Sequence, residues 1–374
     1  MRVSLDNFQK ASIMPYANKL HTQDKAESLI KKLKKYIRKS VNQDPKLFFK
    51  ENETVYIPDL HGDFVHLILT LYRHDLLDKD LDLKKSHKYI FLGDFYNRGE
   101  DSDVIDYWVN KQINRGLNIH RLLGNHEMFF LARDRDDNLM PTRKPAISQV
   151  NPFNDIEADK KNNYQVTEDI LKGIYDGSML AAIAIQKGDK STLYVHSYIT
   201  SNDVEKLELD DQGVRCVAEE MNKKLKTLGK ESYECFIDCK TRGVFNWQEI
   251  RRPLFGDPLF NTFNKDETGR STSYLMRITG LKKVDEKRRV KSQIEDDLPE
   301  NVYQIVGHIV LFHFDLPKGF PTDRPIVFQD KNKSSTVQFS DVGIGFKYLK
   351  DSFNRPKVII NSKLAKKLKN AVSK

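Results

Sequence analysis

Asp59, His61 and Asp63 crowd around Gly62 where the apolar run Thr54, Val55, Tyr56, Ile57 ends. The same pattern recurs along the chain. Asp94 ends "KYIFLGD", Asn125 and His126 sit in "HRLLGNHE", His196 follows "TLYV", and His308 follows "YQIVG". Carboxylate, imidazole and carboxamide donors together suit divalent ions such as Mn, Fe or Zn better than soft, thiolate-seeking ones. Gly62, Gly93, Gly124 and Gly307 stand beside them, where glycine lets backbone turn sharply or come close to an ion or phosphate. Taken singly, each residue has a plain structural explanation: Asp and Asn cap helices, and a lone His is usually a satisfied structural one. Taken together, four histidines (His61, His126, His196, His308), two aspartates (Asp59, Asp94) and Asn125 at the ends of apolar runs point to one metal-dependent site. His21, His66, His74, His87, His120 and His313 have no such context and read as structural.

The elements that must position these groups read as α/β. Short continuous apolar runs are what strands covered on both faces look like. Between them, Phe64, Leu67, Ile68 and Leu71, then Val104, Ile105, Trp108, Val109 and Ile113, have helical spacing. In such folds ligands gather at the carboxyl ends of strands, so polar groups far apart in sequence can share a pocket. Residues 1–50 read as a helical segment packing on the body, and 51–350 as the catalytic domain with insertions near 134–168 and 284–301. Residues 351–374 read as a basic tail.

At 374 residues and 39% apolar content the chain can bury a full core. No run of about 18 apolar residues reads as a membrane span, and the N-terminus lacks the apolar stretch of a secretory signal. Cys216, Cys235 and Cys239 read as free thiols, which predicts a reducing, cytoplasmic setting; zinc on Cys235 and Cys239 is remote, as no second ligand pair lies nearby. Much of the net charge of +9 sits in "KKLKKYIRK" and in the tail "SKLAKKLKNAVSK". Stripes Leu29, Ile30, Leu33, Ile37 and Leu364, Leu368, Val372 make both segments helices with solvated lysine faces. A contact with a partner or an acidic membrane is the lesser reading of these helices, and nothing marks a nucleic-acid binder.

"DLHGD" (59–63), "GDFYNRG" (93–99) and "GNHE" (124–127), in that order, resemble the motifs of the metallophosphoesterases. More narrowly they resemble the phosphoprotein phosphatase branch, the calcineurin-like serine/threonine phosphatases. The resemblance continues through "DGSMLAAIAIQKGDKSTLYVHSYI", "LFGDPLF" and "IVGHIV", over about residues 50–346. It implies a calcineurin-like β-sandwich of mixed sheets flanked by helices, and two divalent ions, manganese first, with iron or zinc as alternatives. Asp59, His61 and Asp94 would hold one ion; Asp94, Asn125, His196 and His308 would hold the other. Water activated between the ions would attack phosphorus in line, without a phosphoenzyme. His126 would protonate the leaving alkoxide, Arg98 would grip phosphate in bidentate fashion, and Asp63 and Glu127 would support the ligands. For a second clamp Arg270, which follows "GDP", fits the family order better than Arg242.

Asn97 stands where the family usually has an aspartate paired with the catalytic histidine. An amide can orient the ring but supplies no charge to favour imidazolium, so protonated His126 is expected to be lost at lower pH unless Asp101 or Asp103 substitutes. "HSY" (196–198) replaces His-Gly-Gly, and Phe255 replaces a tryptophan. The implied substrate is a phosphoprotein, on phosphoserine or phosphothreonine; phosphotyrosine stays open, because pocket depth is not readable from sequence. A dinucleotide polyphosphate hydrolase of the same superfamily and a non-catalytic phosphate-binding scaffold are the alternatives. Richness in Lys, Asn and Phe suggests a bacterial or viral member, an effector acting in a host cytosol.

Overall fold

The computed structural model describes residues 22–35, 37, 52–96, 101–131, 160–187, 190–199, 201, 214–243, 245–256, 299–307, 326–329 and 336–339. Asn97, Arg98, Arg270, His308 and the basic tail lie outside the described residues.

In chain order the elements are α1 (22–35), β1 (Thr54–Ile57), α2 (Phe64–Arg73), β2 (Lys88–Phe91), α3 (Ser102–Asn114), β3 (Ile119–Leu122) and α4 (Asn125–Leu131). There follow α5 (Lys160–Asp176), β4 (Met179–Leu180), β5 (Ala182–Lys187), β6 (Lys190–Val195), α6 (Val214–Arg242) and α7 (Trp247–Gly256). The last described are β7 (Tyr303–Val306), β8 (Ile326–Gln329) and β9 (Thr336–Phe339). One sheet has the order β1-β2-β3-β4, the other β5-β6-β7-β9-β8. The first is parallel throughout; only the second is mixed, with β5 and β8 antiparallel to their neighbours.

The period of two along each strand explains how the sheets stack. In β2, Tyr89 and Phe91 join the large core that holds Phe64 of α2 and Trp108 of α3. The alternate residues Ile90 and Leu92 join Leu122 of β3, Tyr194 of β6 and Ile305 of β7 in a separate cluster, edged by Tyr56, Leu180 and Ile183. That cluster is the layer between the sheets. Strands buried on both faces leave no polar alternation, which is why they read as continuous apolar runs.

α2 and α3 carry the helical spacing seen in the sequence, and Val104, Ile105, Trp108 and Val109 are buried. α1 buries Ala26, Leu29 and Leu33 in the same core, joined by Ile37 just past it, while Lys31, Lys32 and Lys35 are exposed. Its apolar stripe is therefore already covered, which leaves a mixed polar face of Asp24, Glu27, Ser28, Lys31, Lys32 and Lys35 for any other contact. α5 begins inside the stretch read as an insertion at 134–168. Between β4 and β5 the chain passes from one sheet to the other at Ala181, and Asn222 of α6 satisfies that corner. Its Oδ1 accepts from the amides of Ala181 and Ala182, and its Nδ2 donates to the Ala182 carbonyl. Among the described residues no helix is long and apolar enough to cross a membrane.

Candidate metal centre

β1, β2, β3 and β6 all end at one place. Asp59, His61, Asp94, Asn125, His126 and His196 are buried there together. The turn after β1 is fixed to the turn after β2 by backbone bonds: Leu60 and His61 amides donate to the Asp94 carbonyl, and Gly62 to the Phe95 carbonyl. His61 and Asp94 both sit at positive φ, 46° and 53°. Left-handed backbone is uncommon outside glycine and marks sites where structure over-determines the chain.

Asp94 lies at the middle. Its Oδ2 is 3.7 Å from His61 Nε2 and 3.9 Å from His126 Nε2; its Oδ1 is 3.4 Å from His196 Nε2 and accepts the His126 amide at 2.9 Å. Two donor groups result, His61–Asp94–His126 and Asp59–Asp94–His196, each with its ligand atoms within 4.8 Å of one another. His61 Nε2 also lies 3.8 Å from Asp59 Oδ2, and His196 Nε2 lies 3.3 Å from Asn125 Oδ1. Asp59, His61 and Asp94 thus face one another, as do Asp94, Asn125 and His196. These are the described members of the two ligand sets that the motifs implied. Nothing in the residue spacing signals that His126 sits edge-on against His61, with ring centroids 4.6 Å apart.

The donor set fits a divalent cation. His196 Nδ1 is 2.6 Å from the Leu92 carbonyl, which can only accept, so Nδ1 carries a proton and, in the neutral ring that a metal requires, Nε2 presents a lone pair. That lone pair faces carboxylate and carboxamide oxygens, an arrangement that a cation between them relieves. The Leu92 carbonyl is a functional group that no side-chain pattern could have revealed. No thiol competes, since all three cysteines lie on α6 as free thiols.

Two supporting carboxylates have clear partners. Glu127, fully buried, accepts from the amides of Gly124 (2.7 Å), Phe95 (2.8 Å) and Asp94 (2.9 Å), tying the β2 and β3 turns together. Burial pushes its carboxyl above the ordinary range, and these amides pull it back. Asp63 caps α2 by accepting the His66 amide and pairs with His66 Nδ1 at 2.6 Å, so His66 is structural, as its context suggested. Gln304 of β7 exchanges two 2.9 Å bonds with the Ile199 backbone, holding the segment that begins at His196. The amide of Gly307 donates to the His196 carbonyl at 3.1 Å. Arg242 pairs with Asp238 at 2.7 Å on the same helix and is half exposed.

At Gly124 a Cβ would run into the Asp94 carboxylate and lie 2.6 Å from the Asp94 amide. Gly124→Ala is expected to weaken Mn binding by at least about tenfold, because it shifts a ligand rather than removing one. Calorimetric titration of the metal-free protein checks this; unchanged affinity would mean that Asp94 is not a ligand.

Residues 54–229 match the family model for calcineurin-like phosphoesterases. The chain carries a calcineurin-like phosphoesterase domain. Hydrolysis of phosphoesters is the class of chemistry that goes with it, and the domain match runs from β1 into α6. The sequence has no significant match among curated proteins. Among solved structures it is similar to a cold-active protein tyrosine phosphatase at 17% identity and a TM-score of 0.41, over 81% of this chain and 73% of that one. A cold-active protein-tyrosine phosphatase of a psychrophilic Shewanella species gives 15% and 0.39, over 81% and 74%. A protein serine/threonine phosphatase from Saccharomyces cerevisiae gives 13% and 0.33, over 85% and 77%. Superpositions this loose carry no weight for the substrate of the phosphoesterase domain.

Proposed function

We propose that this protein is a metal-dependent phosphoprotein phosphatase that hydrolyses phosphoserine and phosphothreonine monoesters, with phosphotyrosine open to the same chemistry. The observation that carries the reading is Asp94, whose two carboxylate oxygens face two different donor groups. Asp59, His61 and Asp94 would hold one ion, and Asp94, Asn125, His196 and His308 a second. Divalent ions, manganese first and iron or zinc next by donor chemistry, supply Lewis-acid polarisation of phosphoryl oxygens and lower the pKa of water.

The chain's own residues do the rest. His126, held by its main-chain bond to Asp94 and seated against His61, delivers a proton from its ring to the leaving alkoxide oxygen. Asn97 would orient that ring through a hydrogen bond. Arg98 and Arg270 would bind the phosphate oxygens and hold phosphorus in line for attack. The buried setting of the centre excludes bulk water and strengthens each of these contacts. Free thiols at all three cysteines support a reducing compartment for the protein.

The test is phosphate release from phosphoserine, phosphothreonine and phosphotyrosine peptides beside a dinucleotide polyphosphate, with and without Mn and after chelation. Phosphopeptide turnover that needs the metal and falls by about 10²–10⁴-fold in His126→Ala is expected. Cleavage of the dinucleotide alone would replace the reading with a dinucleotide polyphosphate hydrolase. Metal binding without any turnover would leave a phosphate-binding scaffold.

A further inference from the structure

The N-terminal helix α1 lies outside the matched residues 54–229, yet it pairs with the start of α3, which is bonded to a turn of the metal centre. Lys25 Nζ is 2.9 Å from Asp103 Oδ1 and 3.6 Å from Asp101 Oδ1, and Thr22 Oγ1 donates to Asp103 Oδ2 at 3.4 Å. Asp101 occupies the N-cap position of α3 but caps nothing with its side chain. Its amide donates to the Gly62 carbonyl at 3.0 Å, and Gly62 separates His61 from Asp63. Lys25 therefore holds the start of α3, which is itself bonded to the turn carrying His61. Burial opposes the charge on Lys25, but Asp103 and Asp101 outweigh it and keep its pKa above the usual lysine value.

Two carboxylates on the helix start that is bonded to the Gly62 turn add negative potential to a centre that must admit a phosphate dianion, and a cation held at close range lowers it. Resting on the phosphomonoesterase reading above, we propose that Lys25 is a positioning residue of the phosphate site: it offsets Asp101 and Asp103 and fixes the start of α3 against the Gly62 turn, so that a segment outside the phosphoesterase domain sets substrate affinity. At the other end of α1, Lys34 makes a similar ion pair with Asp80 at 2.8 Å. Asp80 lies in the connection between α2 and β2, so Lys34 supplies the internal control.

The experiment uses the full Mn-loaded chain. Lys25→Met keeps the alkyl stem and removes the charge. It is expected to raise KM for a phosphoserine peptide, and to weaken competition by inorganic phosphate, about three- to fivefold with kcat little changed, as suits a partly exposed ion pair. Lys25→Arg should retain the native KM, and the triple variant Lys25→Met, Asp101→Asn, Asp103→Asn should return to it. Lys34→Met should leave KM unchanged. Equal KM in Lys25→Met and the native protein, or an equal shift in Lys34→Met, would overturn the proposal. If the native protein turns over no phosphopeptide, the functional reading fails instead. In that case titration of Mn-loaded native and Lys25→Met protein with inorganic phosphate still decides on Lys25: weaker binding to the variant supports its role, and equal binding removes it.

Discussion

Asp94→Asn is expected to lower Mn affinity by more than about 100-fold, beyond what loss of an outer-shell partner costs, and to abolish the phosphopeptide turnover proposed above. Both oxygens of Asp94 are in use. Oδ1 accepts the His126 amide and faces His196, while Oδ2 faces His61 and His126. An asparagine that keeps its oxygen toward the His126 amide turns an NH2 group toward His61 and His126, where a ligand oxygen is needed. The charge that both donor groups share is lost at the same time. Without metal the variant should be at least as stable as the native protein, because a buried carboxylate is costly to keep ionised. Thermal unfolding of the metal-free and Mn-loaded forms separates the two effects. The native protein should gain a concentration-dependent rise in Tm that the variant lacks. A variant that still shows this rise would remove Asp94 from the centre.

Glu127→Ala should have the largest effect on the fold itself. Three backbone amides, those of Asp94, Phe95 and Gly124, end on its carboxylate in a fully buried position. Removing the acceptor leaves them without it, at about 1–3 kcal/mol for each unsatisfied group. The sum is a large share of the roughly 5–15 kcal/mol by which domains are stable. Glu127→Gln keeps one acceptor oxygen and should cost clearly less. Denaturant midpoints of the two metal-free variants check the order, and equal midpoints would show that the amide bonds are not what Glu127 contributes. Because the same bonds tie the Asp94 turn to the Gly124 turn, the loss of metal affinity should follow the loss of stability.

Much of the centre was legible because the chemistry repeats locally. Each apolar run that became β1, β2, β3 or β6 ended in a ligand-type residue, and two glycines at those ends hold roles a side chain would block. Gly93 has φ 103°, and a Cβ there would lie 2.8 Å from His196 Nδ1. The fold class was legible for a related reason: Tyr89 and Phe91 face the helices while Ile90 and Leu92 face the second sheet, so β2 could show no polar alternation. The apolar stripe of α1 was readable too, but not what it packs against.

Partnership was the part that sequence spacing could not supply. That the Leu92 carbonyl fixes the His196 tautomer, that Asn222 closes the corner between the sheets, and that Gln304 holds Ile199 all depend on groups more than 40 residues apart or nearly so. Asp101 and Asp103 could be read from the sequence as substitutes for the aspartate that Asn97 replaces, but that Lys25 lies within reach of both could not. By itself the sequence determined the donor types, their order along the chain and the strand ends that carry them, because covalent spacing and apolar period are local properties. Which donors face one another, which backbone groups orient them, and which cation offsets which carboxylate were decided only when tertiary packing brought four strand ends and a distant helix together.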